Sequence, residues 1–141
     1  MRFAVGSDDT GEAPDAILAA LRERGHTVDV CGPLAGEALG WADVARQVAA
    51  QVASGEADQG VLFCWTGTGV SIAANKQPGI RAALCGDAET ARGARAWNDA
   101  NVLCLSLRTT TPIIAREIIE AWLAAAPDGL ESEQIAHIEP A

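Results

Sequence analysis

Residues 61–76 read VLFCWTGTGVSIAANK, and the reading of this stretch decides the fold. With the glycine before it, the opening run (60–64) is apolar at every position and too short for a helix. Such a run fits a central parallel strand covered on both faces. The WTGTG turn follows, and residues 70–76 read as a short helix. A strand, a glycine turn and a helix in that order form the unit of an open parallel α/β sheet. Ligands of such sheets bind past the carboxyl ends of the strands, at a switch in strand order.

The same alternation extends in both directions. Upstream, a short apolar strand (2–5) runs into the polar loop GSDD. A helix follows over 13–24, with Ile17, Leu18 and Leu21 at helical spacing and Gly25 as its stop. A second strand covers 26–31, the stretch 34–40 is loop, and 41–54 is an amphipathic helix with Val44, Val48 and Val52 on one face. Downstream come a strand over 80–85, a helix over 88–97, a strand over 101–105, a helix over 112–125 and a short helix in the tail over 132–138. The pattern predicts one α/β domain over residues 1–141, with a parallel sheet of about five strands and a C-terminal helix or tail from about 127. Three loops are expected to face a ligand: 7–11, 65–69 and 86–87.

The bulk numbers narrow the function. A chain of 141 residues, 49% of them hydrophobic, supports one core. A net charge of −9 repels nucleic acid and anionic lipid, so neither is expected as a partner. Cys31, Cys64, Cys85 and Cys104 fit no metal-ligand spacing, and each sits at or near the end of an apolar run, so no metal is expected. The opening MRFAVGSDD turns acidic at once, and no apolar stretch approaches the roughly 20 residues of a membrane helix. A reduced, cytoplasmic protein is the expectation.

The chemistry centres on Cys64. A strand delivers the thiol to its carboxyl end, and a turn with two glycines then opens a helix. Glycines let the backbone approach a ligand and turn its N–H groups inward, and a helix N-terminus adds partial positive charge. That setting favours the thiolate, the form a base needs. A base beside a cradle of backbone donors is what aldose–ketose isomerisation requires. The base takes the proton next to the carbonyl, and the donors hold the enediolate oxygen that forms. Such chemistry needs no cofactor. A nucleotide site fits less well, because the first strand is followed by GSDDTGE rather than G-x-G-x-x-G, and no G-x-x-x-x-G-K-[ST] run is present.

Two segments, GTGVSIAANKQPGIRAALC (67–85) and WNDANVLCLSLR (97–108), resemble the type B ribose-5-phosphate isomerase and galactose-6-phosphate isomerase family. The likeness runs from the opening strand and its GSD loop to the helix around Trp122, and thins after Pro127. It implies a Rossmann-like three-layer sandwich that acts as a homodimer or a dimer of dimers, with each site shared between subunits. By the same resemblance Cys64 is the catalytic base and Thr66 handles protons on the sugar oxygens. Asp8 binds sugar hydroxyls. Gly67, Thr68, Gly69 and Ser71 present backbone donors to the enediolate. Asn98 and Arg108 reach the ligand, across the dimer.

The departures from the family pattern run in one direction. The first loop of the family reads Asp-His, with the histidine on phosphate; here it reads Asp8-Asp9. The family's ring-opening histidine is replaced by Trp97, the glycine after the catalytic cysteine by Trp65, and a C-terminal arginine by Glu131. A phosphate dianion calls for Arg, Lys or His. The chain has no Lys or Arg after Arg116. The resemblance with these changes implies a small-molecule sugar other than ribose 5-phosphate, with Asp9, Trp65 and Trp97 lining its site. Two readings stay open at this point. One is an active isomerase. The other is a catalytically silent sugar-binding homologue, or one subunit of a heteromeric isomerase.

Overall fold

The computed structural model describes residues 1–139. Five strands alternate with helices: β1 (Arg2–Ser7), α1 (Glu12–Glu23), β2 (Thr27–Cys31), α2 (Trp41–Ser54), β3 (Gln59–Cys64), α3 (Thr68–Asn75), β4 (Ala82–Leu84), α4 (Ala88–Asn98), β5 (Val102–Ser106), α5 (Pro112–Ala124) and α6 (Ser132–Ala136). A short 3₁₀ turn, Gly32–Ala35, follows β2. All strand pairs are parallel, in the order β2-β1-β3-β5-β4. The expected Rossmann-like α/β sandwich is present, with β3 as its central strand.

Burial explains the layering. All six residues of β3 are buried, as the unbroken apolar run requires. One face packs α1, α4 and α5 around Phe3, Val5, Phe63, Leu105 and Trp122. The other packs α2 and α3 around Ala4, Leu62, Cys64, Val70 and Cys104. The helices supply matching stripes, Ile17 with Leu21 on α1 and Val44 with Val48 on α2. Helix α5 starts with Pro112 just inside its first turn, and Thr111 caps it by accepting from the Ile114 amide. Trp122 is fully enclosed, and its indole N–H donates to Gln59 across 2.8 Å. Replacing such a tryptophan with alanine costs about 3–5 kcal/mol.

The strand expected over 80–85 is shorter than its apolar run. Ile80 closes a turn onto the Gln77 carbonyl, and the Arg81 amide is taken by the Asn101 side chain, so ladder pairing begins at Ala82. The 86–87 loop does not join the other two expected loops at the switch point. Strand β5 lies between β4 and β3, and Asp87 instead caps α4 by accepting from the Thr90 amide at 2.7 Å. Among the described residues no helix is long and apolar enough to cross a membrane.

Candidate active site

Strand β1 has β2 on one side and β3 on the other, so the order switches there, and the crevice past those two strand ends is the natural ligand site. The loops at that end are laced together. The Asp8 amide donates to the Phe63 carbonyl at 3.3 Å, and the Leu107 amide to the Cys64 carbonyl at 3.0 Å. The Trp65 carbonyl accepts from the Arg108 amide at 3.0 Å and from the Ser106 hydroxyl at 2.8 Å. Cys64 therefore ends a strand fixed on both sides.

The expected site residues divide around that end. Cys64 is 5% exposed and belongs to the α2/α3 layer with Val70, Ala74 and Cys104. Thr66 turns toward the start of α3, its hydroxyl 2.7 Å from that of Thr68, in a bond either oxygen can donate. Gly67 stands before the helix in the left-handed region, φ 78°. A Cβ there would lie 2.5 Å from Leu84 Cδ1 and 2.9 Å from the Leu105 carbonyl carbon, so only glycine fits. The first α-helical bond of α3 runs from the Ser71 amide to the Gly67 carbonyl at 3.4 Å. The amides of Thr68, Gly69 and Val70 precede it and have no earlier helical turn to bond, and no side chain caps them.

Trp65 points the other way. It is 63% exposed and lines a cleft of about 370 Å³ with Asp9, Leu107, Thr110 and the start of α5. Asp9 accepts at 2.8 Å from the Thr10 amide and faces the same cleft. Glu12 lines it as well, so two acidic residues border the cleft. Arg108 is exposed on the turn after β5.

Electrostatics separate the groups. Partial burial, and then the neighbouring Asp9 charge, raise the Asp8 carboxyl above the usual carboxylate range. Burial pushes the Cys85 thiol up to about 12, with Asp87 adding to the shift. Cys104 is raised by complete burial. Both therefore stay protonated near neutral pH. Among the described residues no three His, Cys, Asp or Glu side chains converge to hold a metal ion.

Trp97 and Asn98 do not meet Cys64 within one chain. They end α4, and the next residue, Asp99, turns the backbone at φ 47°. Its carboxylate holds Arg81 at 3.2 Å and Arg95 at 3.1 Å. Asn101 then pairs with Arg81 and Gly60 at the amino ends of β4 and β3. This is the end of the sheet opposite the thiol. There Trp97 is 44% exposed, lies on Gly93, and has the Arg92 guanidinium 5.1 Å above it. Glu131 shares a pocket of about 430 Å³ with Trp97 and Asn98.

Three residues at the thiol end were not singled out from the sequence. Ser106 and Thr110 are buried polar residues in the turn that supports Trp65. Trp41 lies against Gly69. One signal was available for Trp41: a helix that follows a parallel strand starts at the carboxyl end of the sheet, so the first residue of α2 must stand beside the site.

Comparison with known proteins identifies the family and the fold. The family model described as Ribose/Galactose Isomerase matches residues 3–138. The chain is 41% identical over 134 residues to ribose-5-phosphate isomerase B of Escherichia coli, covering 94% of this chain and 90% of that protein. It is 39% identical over 131 residues to D-erythrulose-4-phosphate isomerase of Pectobacterium atrosepticum, covering 92% and 86%. The solved structure of Clostridium thermocellum ribose-5-phosphate isomerase B superposes with a TM-score of 0.90 at 38% identity, covering 98% of this chain and 95% of that one.

Proposed function

This chain belongs to the Ribose/Galactose Isomerase family, and we propose that it is an aldose–ketose isomerase that uses Cys64 as its base. The observation that carries the proposal is the placement of Cys64. It ends the central strand, at the switch point, directly before a turn whose three leading amides are uncapped. The thiolate takes the proton from the carbon beside the carbonyl. The bonding pair moves to make the carbon–carbon double bond of a cis-enediolate, and the carbonyl electrons settle on oxygen. Amides at the start of α3 stabilise that oxygen. The Thr66 hydroxyl, paired with Thr68 in a bond that runs either way, moves a proton between the two enediol oxygens. Cys64 then returns its proton to the neighbouring carbon, which completes the isomerisation with no net gain or loss of atoms.

The substrate we propose is a four-carbon ketose and its aldose partner, in place of ribose 5-phosphate. A 2-ketotetrose has no hydroxyl placed to close a five-membered ring on its carbonyl, so it is open-chain with or without a phosphate. It therefore needs no ring-opening group, which fits Trp97 at the position where the family resemblance puts a histidine. One relative is named for a substrate of this size. The carboxylates of Asp9 and Glu12 in the cleft beside Trp65 oppose a dianion there. Asp8, at the end of β1, is the acceptor for a sugar hydroxyl.

The working unit we propose is a pair of chains. Leu84, Ile72 and Trp97 are large apolar side chains left exposed on β4, α3 and α4, and β4 is an edge strand. Asn98 lines a cavity of about 550 Å³ at the end of the sheet opposite its own Cys64, positioned to serve another copy. Mixing Cys64→Ala chains with Asn98→Ala chains tests this. Pairing restores one intact site per mixed dimer, so activity on erythrulose should recover toward a quarter of wild type. No recovery would contradict a shared site. Equal silence of the wild type on tetroses and pentoses, phosphorylated or not, would favour a sugar-binding homologue or a subunit awaiting a different partner.

A further inference from the structure

We propose that Trp41 sets the length of the sugar that reaches Cys64, a specificity-determining role that rests on the isomerase reading above. Helix α2 follows β2 and so begins at the carboxyl end of the sheet, where Cys64 ends β3. Trp41 is its first residue. It stands three and seven positions before Val44 and Val48, both fully buried in the layer that holds Cys64, so the same helical stripe continues past the sheet edge onto Trp41.

The indole comes down on the first turn of α3. A Cβ built on Gly69 would meet Cε3, Cζ3 and Cδ2 of the Trp41 ring at 2.9, 3.0 and 3.2 Å. The ring therefore rests on the backbone whose amides receive the enediolate oxygen. At 47% exposure it also keeps one side open to solvent, as a pocket wall does and a core residue does not. A sugar whose oxygen reaches the amides of Thr68 and Gly69 must lay its remaining carbons beside this ring. A broad rigid wall there admits a short chain and obstructs each added carbon. The wall depends on Gly69, because any side chain at that position displaces the indole.

The test compares exchange of the proton next to the carbonyl in heavy water for ketoses of four, five and six carbons. Erythrulose, ribulose and fructose are run free and as their terminal phosphates. Trp41→Ala should raise the rate on five and six carbons relative to four by about tenfold or more, the usual value of steric discrimination by one methylene. Trp41→Phe should fall between the two. Gly69→Ala, which pushes the ring aside without removing it, should shift the same ratio in the same direction. A ratio within about twofold of wild type in all three variants, whatever their absolute rates, would overturn the inference and assign Trp41 to packing alone. The isomerase reading fails by a different sign, namely exchange in the wild type that Cys64→Ala leaves unchanged, or none on any of the sugars.

Discussion

The Ser106 hydroxyl donates to the Trp65 carbonyl across 2.8 Å and accepts from the Thr109 amide at 3.2 Å. One buried side chain on β5 thus fixes the residue that follows Cys64 and shapes the turn that carries Arg108. Ser106→Ala leaves the Thr109 amide without its acceptor and the Trp65 carbonyl with the Arg108 amide alone, at a cost of about 1 kcal/mol in folding stability. It also loosens the end of β3, so turnover should fall roughly 10- to 100-fold with a smaller change in KM. Thermal melts and steady-state kinetics check the two effects separately. Threonine at this position keeps the hydroxyl and should recover most of the activity.

Asp8 and Asp9 predict a pH profile. Asp8 holds its proton above the usual carboxylate range, through partial burial first and Asp9 second. An acceptor of sugar hydroxyls is needed in its ionised form, so substrate affinity should rise with pH through the Asp8 pKa and be lost below it. Asp9→Asn removes a like charge, lowers the Asp8 pKa and moves this acid limb to lower pH. Asp8→Asn should abolish the limb. A series of KM against pH for the three proteins reads both shifts.

Gly67 is the most constrained position of the turn. Its φ of 78° and the 2.9 Å approach of the Leu105 backbone leave no room for a methyl group. Gly67→Ala should cost at least about 1–2 kcal/mol in backbone strain alone, with the clash added to it. Activity should fall on the order of 100-fold as the amides of α3 move away from the developing oxyanion. The same substitution at Gly79, which also has positive φ but open space around it, should cost stability without comparable loss of turnover.

The cysteines give a chemical check. Burial raises Cys85 to about 12 and raises Cys104 as well, so both are protonated and inert at neutral pH. In the native protein, iodoacetamide should spare these two, and loss of activity should track modification of Cys64. Substrate should slow that modification. Mass spectrometry of labelled peptides, taken beside residual activity, settles the order.

Much of this arrangement was legible in the chain itself. The apolar run of β3 marked the central strand, and α2 occupies the residues its valine stripe predicts. What could not be read was lateral order. Strand–helix alternation does not say that β5 inserts between β3 and β4, and that insertion takes the 86–87 loop away from the switch point. The end of a run was equally hidden, because β4 is shortened by a side chain, Asn101, that captures the Arg81 amide from a distant loop. Within the site, Cys64 and Trp65 are neighbours in sequence, yet β3 ends at Cys64 and the two side chains meet different surroundings. The thiol therefore lies beneath α3 while the indole borders the Asp9 cleft. Nothing local marks Trp41; its place beside Gly69 follows only from the direction in which α2 runs.

The central claim is that Cys64 moves the proton. The most direct measurement is incorporation of solvent deuterium next to the carbonyl of erythrulose, followed by NMR, for the wild type and for Cys64→Ala. The account predicts steady exchange in the wild type and a rate lower by on the order of 100- to 10,000-fold in the variant, with its melting temperature preserved. Exchange that survives in Cys64→Ala at the wild-type rate would contradict it.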